Sequence, residues 1–193
     1  KINNNPFTDN KNTLGAIYIV RDPRNLITSL SNHYQLNLNE SLDFMIEQKK
    51  ALVDRVDNKF KAFVPIFSWR FHLKSWIHNK SFKTIVIRYE DLTNETYYTF
   101  KKVIEFIDNL ANNKNKLDKE KAKKTIVSCN FENLQNLEKN KGFSEALTKK
   151  NSKEKIKFFN LGKKNNYRKL LNVDLINKMN NIFQEELKKY KYE

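Results

Sequence analysis

The sequence predicts an α/β domain in which helices flank a small parallel sheet. Two short apolar runs, residues 16–20 and 84–88, have the composition of buried parallel strands, and a helical pattern follows each of them. The length of 193 residues corresponds to one domain. Fourteen Phe, eight Tyr and two Trp are enough to build a packed core, so a disordered basic tail is excluded.

The first run, residues 16–20, is almost wholly apolar and rich in β-branched and aromatic residues. This pattern is typical of a strand covered on both faces. Asp22 and Pro23 then predict the N-cap and first position of a helix over residues 23–34. An Asp side chain caps free amides, and Pro lacks only an amide that is unpaired at that position.

The second run, residues 84–88, leads through Tyr89-Glu90-Asp91-Leu92 into a predicted helix over residues 93–110. Apolar residues recur there at intervals of three or four, as one face of a helix requires. They are Tyr97, Phe100, Ile104, Ile107 and Leu110.

The remaining elements are mostly predicted helices. Their expected ranges are 41–56 and 65–78, both facing the core, then 116–128, 134–139 and 174–190, the last capped by Asp174. Residues 142–157 have weak periodicity and many charges, which predicts a mobile loop. No repeat or linker marks a second domain, so residues 1–193 are interpreted as one domain.

Composition excludes several classes of protein. No stretch reaches the roughly 20 consecutive apolar residues of a membrane span, and the polar start lacks the apolar core of a signal peptide, so a cytoplasmic location is expected. Cys129 is the only cysteine and therefore forms neither an internal disulfide nor a cysteine-rich zinc site. With three glycines, the chain has no Gly-rich phosphate loop.

The formal net charge of +15 indicates an anionic partner. Nucleic acid is one candidate, although the basic residues are spread along the chain and no zinc-finger or RNA-recognition signature is present. An anionic small molecule fits the same charge equally well.

Arg21 follows the first predicted strand, where ligands bind in open parallel sheets. Ser29 lies eight residues later in the predicted helix, roughly 9 Å along its axis, a gap that an Arg side chain can span. One guanidinium and one hydroxyl can therefore meet on a single phosphate. The alternative is that Arg21 pairs with a surface carboxylate and Ser29 is an ordinary helix serine.

Five segments carry a resemblance to a known family. They are Tyr18-Ile19-Val20-Arg21-Asp22-Pro23-Arg24-Asn25 with Ser29; Ser68-Trp69 with His72 and Trp76; Arg88-Tyr89-Glu90-Asp91-Leu92; Asn130-Phe131-Glu132-Asn133-Leu134; and Phe158-Phe159 to Gly162 with Tyr167-Arg168. In this order they resemble the motifs of the sulfotransferases that use 3′-phosphoadenosine 5′-phosphosulfate (PAPS). The resemblance covers nearly the whole chain and implies a P-loop-NTPase-like parallel sheet flanked by helices, incomplete here because it has few strands.

The resemblance also implies residue roles. Arg21 and Ser29 would hold the 3′-phosphate, and Tyr89 and Phe131 would seat the adenine, Phe131 by stacking. The alternatives are that Tyr89 is an ordinary tyrosine at the boundary of the core and that Phe131 is a phenylalanine of the core. Cys129 stands where the family has Thr beside the adenine. Phe159, Gly162 and Lys163 belong to a turn whose backbone amides meet the phosphate in the family.

Departures from the family pattern limit what carries over. Asn160-Leu161 replaces an Arg-Lys pair, for which Lys163 or Lys164 would substitute, and Asn165 and Tyr167 replace the second glycine and the tryptophan. The phosphosulfate loop and the base histidine, which precede the first strand in the family, are not in the sequence. We therefore expect the C-terminal two-thirds of a sulfotransferase domain, with doubtful activity by itself and no assigned catalytic residue. His33, His72 and His78 are interpreted as structural or surface histidines.

The function implied by the resemblance is transfer of a sulfuryl group from PAPS, without a metal, to a hydroxyl or amine of a small-molecule, saccharide or peptide acceptor. Neither a nucleic acid nor a membrane is an expected partner, and a dimer is not inferred. A basic nucleic-acid-binding module and a helical interaction module are the competing interpretations, with a nucleotide-using kinase as a weaker one. Salt-dependent affinity for nucleic acid would favour the first, and absence of nucleotide binding the second.

Overall fold

The structure is a computed structural model that describes residues 11–56, 59–114, 117–149 and 152–192. These residues divide into two compact units. The first contains the described residues of Lys1–Arg21 and Lys74–Cys129, and the second those of Asp22–Leu73 and Asn130–Glu193.

The described strands all lie in the first half of the chain, among helices, and the regular elements of the second half are helical. In chain order the strands and helices are β1 (Gly15–Val20), α1 (Pro23–Tyr34), α2 (Leu38–Ile46), β2 (Ala51–Val56), β3 (Lys59–Pro65), α3 (Trp69–Ile77), β4 (Lys83–Arg88), α4 (Tyr89–Asn94), α5 (Thr96–Leu110), α6 (Lys119–Ser128), α7 (Phe131–Lys141), the 3₁₀ turn Gly162–Lys164, α8 (Tyr167–Leu170), α9 (Val173–Ile182) and α10 (Gln184–Lys189). The α/β class is confirmed.

The first unit is built on the parallel pair β1 and β4. Their register aligns Gly15 with Lys83 and Val20 with Arg88, so both strands end at the same edge. The expectation that β1 is covered on both faces is wrong, because Ile17 and Ile19 keep 43% and 54% of their surface exposed. In the described residues β1 has β4 as its one neighbour, and a two-stranded sheet has too little surrounding chain to cover a strand twice.

The start of α1 confirms the predicted cap. The Asp22 side chain accepts a hydrogen bond from the Arg24 N–H at 2.9 Å, and Pro23 is the first helical residue. The helix ends at Tyr34, as predicted, with Gln35 in the left-handed conformation. The capping chemistry that the sequence shows therefore places α1 directly after the strand.

The second unit contains a contiguous apolar core. Ile27 of α1, Leu42 of α2, and Met179 and Phe183 near the C-terminus are fully or almost fully buried in it. Burial of each of these side chains contributes roughly 1.5–3 kcal/mol. This core fixes α1, the helix that carries Ser29, within its unit.

The predicted helix over residues 41–56 is wrong. The chain forms α2 and then β2, which pairs antiparallel with β3 and has a register shift between Asp54 and Arg55. The helix begins earlier than predicted because Asn37 and Glu40 form a capping box. Pairing of β2 with β3 then competes successfully against helix continuation.

Other predicted bounds need smaller corrections. The predicted helix over 65–78 is shortened to α3, the one over 93–110 divides into α4 and α5 at Glu95, and the one over 174–190 divides into α9 and α10 at Phe183. Asn172, not Asp174, caps α9, with its side chain accepting the Leu175 N–H at 2.8 Å. Residue 116 of the predicted helix and residues 150–151 of the predicted loop lie outside the described residues, while Thr148 and Lys155 form an isolated bridge within that loop.

Candidate nucleotide-binding site

Arg21 and Tyr89 lie together at the carboxyl edge of the parallel pair. Val20 and Arg88 are the last aligned residues of β1 and β4, so the parallel register places the next residue of each chain segment side by side. The guanidinium carbon of Arg21 lies 4.3 Å from the centre of the Tyr89 ring, within the range of a cation–π contact. Two residues that the sequence proposes for one nucleotide are thus brought into contact.

Ser29 lies on α1 in the second unit, where a side chain from a distant segment meets it. The Asn165 Nδ2 donates to the Ser29 Oγ at 3.4 Å and to the Asn25 carbonyl at 2.9 Å. The Thr28 hydroxyl donates to the Asn165 Oδ1 at 2.8 Å. One carboxamide therefore connects the first turns of α1 to the segment just after Gly162–Lys164.

Gly162 starts a tight turn that requires glycine. Its φ is +54°, and a Cβ at this position would lie 2.7 Å from the Phe131 ring. The N–H groups of Lys164 and Asn165 bond within the turn, to Leu161 and Gly162. The N–H groups of Gly162 and Lys163 have no acceptor among the residues that the structure describes.

Phe131 and Phe159 belong to a group of aromatic rings beside this turn. Their ring centres are 6.2 Å apart, and Phe143 approaches Phe159 to 5.4 Å. The Glu138 carboxylate accepts the Phe159 N–H at 3.0 Å, while the Gln135 side chain donates to the Phe159 carbonyl at 2.8 Å. Helix α7 therefore holds the segment before Gly162 through polar bonds as well as ring packing.

Cys129 and Lys163 complete the set of predicted site residues. Cys129 is exposed and ends α6 in the first unit, with its Sγ 3.9 Å from the Ser128 Oγ. Lys163 is exposed in the 3₁₀ turn of the second unit. The structure thus places Arg21, Tyr89 and Cys129 in one unit and Ser29, Phe131, Phe159, Gly162 and Lys163 in the other. Sharing of one phosphate by Arg21 and Ser29 stays a prediction.

Comparison with known proteins identifies the family. The family model for the sulfotransferase domain matches residues 7–191, nearly the whole chain. The chain belongs to the sulfotransferase domain family. Sulfotransferase 2A6 of Rattus norvegicus is a similar protein, with 26% identity over 93 residues. That match covers 48% of this chain and 31% of the length of the rat protein.

Sequence reasoning missed the role of Arg24 in this sulfotransferase domain. Arg24 is buried, and its Nη2 lies 2.8 Å from the Asp22 carboxylate. It also donates to Asn180 at 2.9 Å and to the Tyr192 carbonyl, and it lies over the Tyr167 ring. No spacing signal marks these partners, because Asn180 and Tyr192 are more than 150 residues away along the chain.

The residues of the sulfotransferase domain fit a phosphorylated adenosine in chemical type. A guanidinium over an aromatic ring, a helix hydroxyl beside a carboxamide, and a glycine turn next to a phenylalanine supply donors for phosphate and flat faces for a base. In the described part of the chain, no group of three or more His, Cys, Asp or Glu residues has the arrangement of a metal site. None of the described helices is long and apolar enough to cross a membrane.

Two histidines of the second unit, His33 and His72, have lowered pKa values. Burial lowers the pKa of His72 below its ordinary value, because the charged imidazolium loses hydration. Burial also lowers the pKa of His33, although Glu145 acts in the opposite direction. Both shifts favour the neutral imidazole and agree with the interpretation of these residues as structural.

Proposed function

We propose that the protein transfers a sulfuryl group from PAPS to a hydroxyl or amine, and that this chain binds the 3′-phosphoadenosine part of the donor. The contact between Arg21 and Tyr89 at the carboxyl edge of β1 and β4 is the observation that carries this proposal. Open parallel sheets bind nucleotides at this edge. The contact there pairs a guanidinium, a group that suits phosphate, with an aromatic ring.

The proposed role of Arg21 follows from its chemistry. The planar N–H edge of a guanidinium matches two phosphate oxygens. Tyr89 orients that edge by supporting the face. The net charge of +15 adds long-range attraction for a donor that carries several negative charges.

The second unit is proposed to supply the other contacts. Ser29 donates to the same 3′-phosphate, while the backbone at Gly162 and the side chain of Lys163 approach it from the turn. Phe131 stacks on the adenine, and Phe159 supports Phe131 through their ring contact. Cys129 lies beside the base, at the position where the family has Thr.

The proposed reaction is an in-line displacement at sulfur. The acceptor oxygen or nitrogen forms the new bond to sulfur, its proton goes to a base, and the bond between sulfur and the bridging oxygen breaks as 3′,5′-diphosphoadenosine leaves. No residue of this chain is assigned as the base, so the proposal for the chain concerns donor binding. The acceptor is a small molecule, a saccharide or a peptide with a hydroxyl or amine.

Titration calorimetry with 3′,5′-diphosphoadenosine tests the proposal. Because Arg21 makes a charge-assisted contact, Arg21→Ala should weaken binding by about tenfold or more. Lys102→Ala is the matched control, since it removes one positive charge from an exposed position on α5 in the same unit and should change the affinity less than about twofold. Equal affinities for wild type and Arg21→Ala would overturn the proposal.

A double-variant cycle tests whether Arg21 and Ser29 contact the same phosphate. If they do, the effects of Arg21→Ala and Ser29→Ala on affinity should be non-additive in the double variant. Additive effects would contradict the shared phosphate while leaving the role of Arg21 intact.

A further inference from the structure

Hydrogen bonds of one residue, Asn165, join the segment after Gly162 to α1. Asn165 uses both ends of its carboxamide: Nδ2 donates to Asn25 and Ser29, and Oδ1 accepts from Thr28. The Tyr167 N–H adds a bond to the Asn25 side chain at 2.8 Å. All of these groups lie within the second unit.

The bonds to the Asn25 carbonyl affect how Ser29 behaves. A serine inside a helix ordinarily donates its hydroxyl back to the carbonyl four residues earlier, which for Ser29 is that of Asn25. That carbonyl already accepts the Ser29 N–H within the helix and the Asn165 Nδ2 at 2.9 Å. A carbonyl oxygen has two lone pairs, so these two donors compete with the back-bond of Ser29 and favour a hydroxyl directed away from its own helix.

We propose that Asn165 is a positioning residue for the 3′-phosphate: its carboxamide orients the Ser29 hydroxyl and fixes the Gly162–Lys164 turn against α1. The inference rests on the proposed function, because it assigns Ser29 and the turn to that phosphate. The carboxamide is neutral and half-buried, so it makes this connection without adding a charge beside an anionic ligand.

The decisive measurement is the preference for a 3′-phosphate. It is the ratio of the dissociation constants of adenosine 5′-phosphate and 3′,5′-diphosphoadenosine, determined by calorimetry. In Asn165→Ala this ratio should fall by about tenfold, because the hydroxyl and the turn lose their common partner. The affinity for adenosine 5′-phosphate should change less than about threefold. If Asn165 had a purely structural role, the variant would bind both ligands more weakly by the same factor, and the ratio would not change.

Two aspartate variants supply a matched pair. Asn165→Asp keeps the shape of the side chain and the acceptor for Thr28, removes the donor to Ser29, and adds a negative charge beside the phosphate, so its ratio should fall at least as far as that of Asn165→Ala. Asn166→Asp adds the same charge one residue later at an exposed N-cap, where the carboxylate still accepts the Arg168 N–H. Its ratio should change less than about threefold. If Asn165→Ala does not fold, Asn165→Asp decides the question.

The outcomes separate this inference from the proposed function. A wild-type chain without a preference for the 3′-phosphate would overturn both. A wild-type preference that persists unchanged in the folded Asn165 variants would overturn the role of Asn165 alone. A loss that is equally large in Asn166→Asp would show that charge, and not the carboxamide, controls the ratio, and would also overturn that role.

Discussion

One arginine follows β1 and another lies at the start of α1, and the two side chains differ in burial and in the groups that they contact. Arg24 is buried at 5% exposure, and all three of its side-chain nitrogens donate to partners in the second unit. Arg21 is only partly buried, and its flat face lies over the Tyr89 ring. The buried bonds of Arg24 stabilise the fold of the second unit, whereas Arg21 follows β1 at the edge where open parallel sheets bind ligands.

The largest expected effect separates the two arginines by stability. Arg24→Ala leaves the Asp22 carboxylate buried without its cation, which costs about 3–5 kcal/mol of unfolding free energy. Arg21→Ala should change the unfolding free energy by less than about 1 kcal/mol. Urea denaturation followed by circular dichroism measures both values. Similar losses in the two variants would refute the division into a structural and a ligand-binding arginine.

The next effect concerns the turn of the second unit, which is held by packing. Gly162 and Gly142 both have positive φ, +54° and +74°, but only Gly162 has an atom within 4 Å of the position of a Cβ. Gly142→Ala should therefore cost about 1–3 kcal/mol from backbone conformation alone, since its ψ of 177° lies in a region that is almost confined to glycine. Gly162→Ala should cost about 2–3 kcal/mol, since its Cβ would also meet the Phe131 ring.

Urea denaturation of the two glycine variants measures both costs. Exchanging the ring for a smaller side chain, as in Phe131→Leu, should reduce the added cost of Gly162→Ala in the double variant. If Gly162→Ala costs as much in the Phe131→Leu background as in the wild type, the Phe131 ring moves aside freely.

Local chemistry explains which parts of the fold were predictable. The apolar runs predict β1 and β4, and Asp22-Pro23 predicts the start of α1, because strand composition and helix caps depend on neighbouring residues. The β2–β3 pair was missed because antiparallel pairing outweighed a helical interpretation of residues 51–56. A run rich in Val and Phe around Asp57-Asn58 is the signal that favours a hairpin there.

In the candidate site, too, some contacts could be predicted from local sequence and others could not. Parallel register brings Arg21 to Tyr89, so this contact follows from two predictable strands. The contacts of Asn165 with Thr28 and Ser29 join segments more than 130 residues apart, and no local pattern contains them. The departure from the family glycine at Asn165 was the one sequence feature that pointed to this position.

A smaller effect tests the support of Arg21 by Tyr89. Tyr89→Leu removes the ring beneath the guanidinium and should weaken binding of 3′,5′-diphosphoadenosine by about two- to fivefold, which corresponds to a cation–π contact of about 0.5–1 kcal/mol. Tyr89→Phe keeps the ring and should bind nearly as well as wild type. If both variants weaken binding equally, the hydroxyl of Tyr89, and not its ring, is the important group.

The smallest expected effect is a pH dependence of the second unit. Burial lowers the pKa of His72 below the model-peptide value of 6.5, so below that pH the unfolded chain binds a proton more readily than the folded chain. The stability that His72 contributes is therefore present above about pH 6.5 and is lost as the pH falls towards its lowered folded-state pKa. The lowered pKa of His33 has the same effect on stability, although the charge of Glu145 opposes that lowering.

Urea denaturation of wild type and His72→Gln between pH 8 and pH 5 isolates the contribution of His72. The variant should lose less stability than wild type on acidification. A wild type and variant with identical pH profiles would show that His72 stays hydrated enough to titrate normally, and the pH response of the second unit would then belong to other groups.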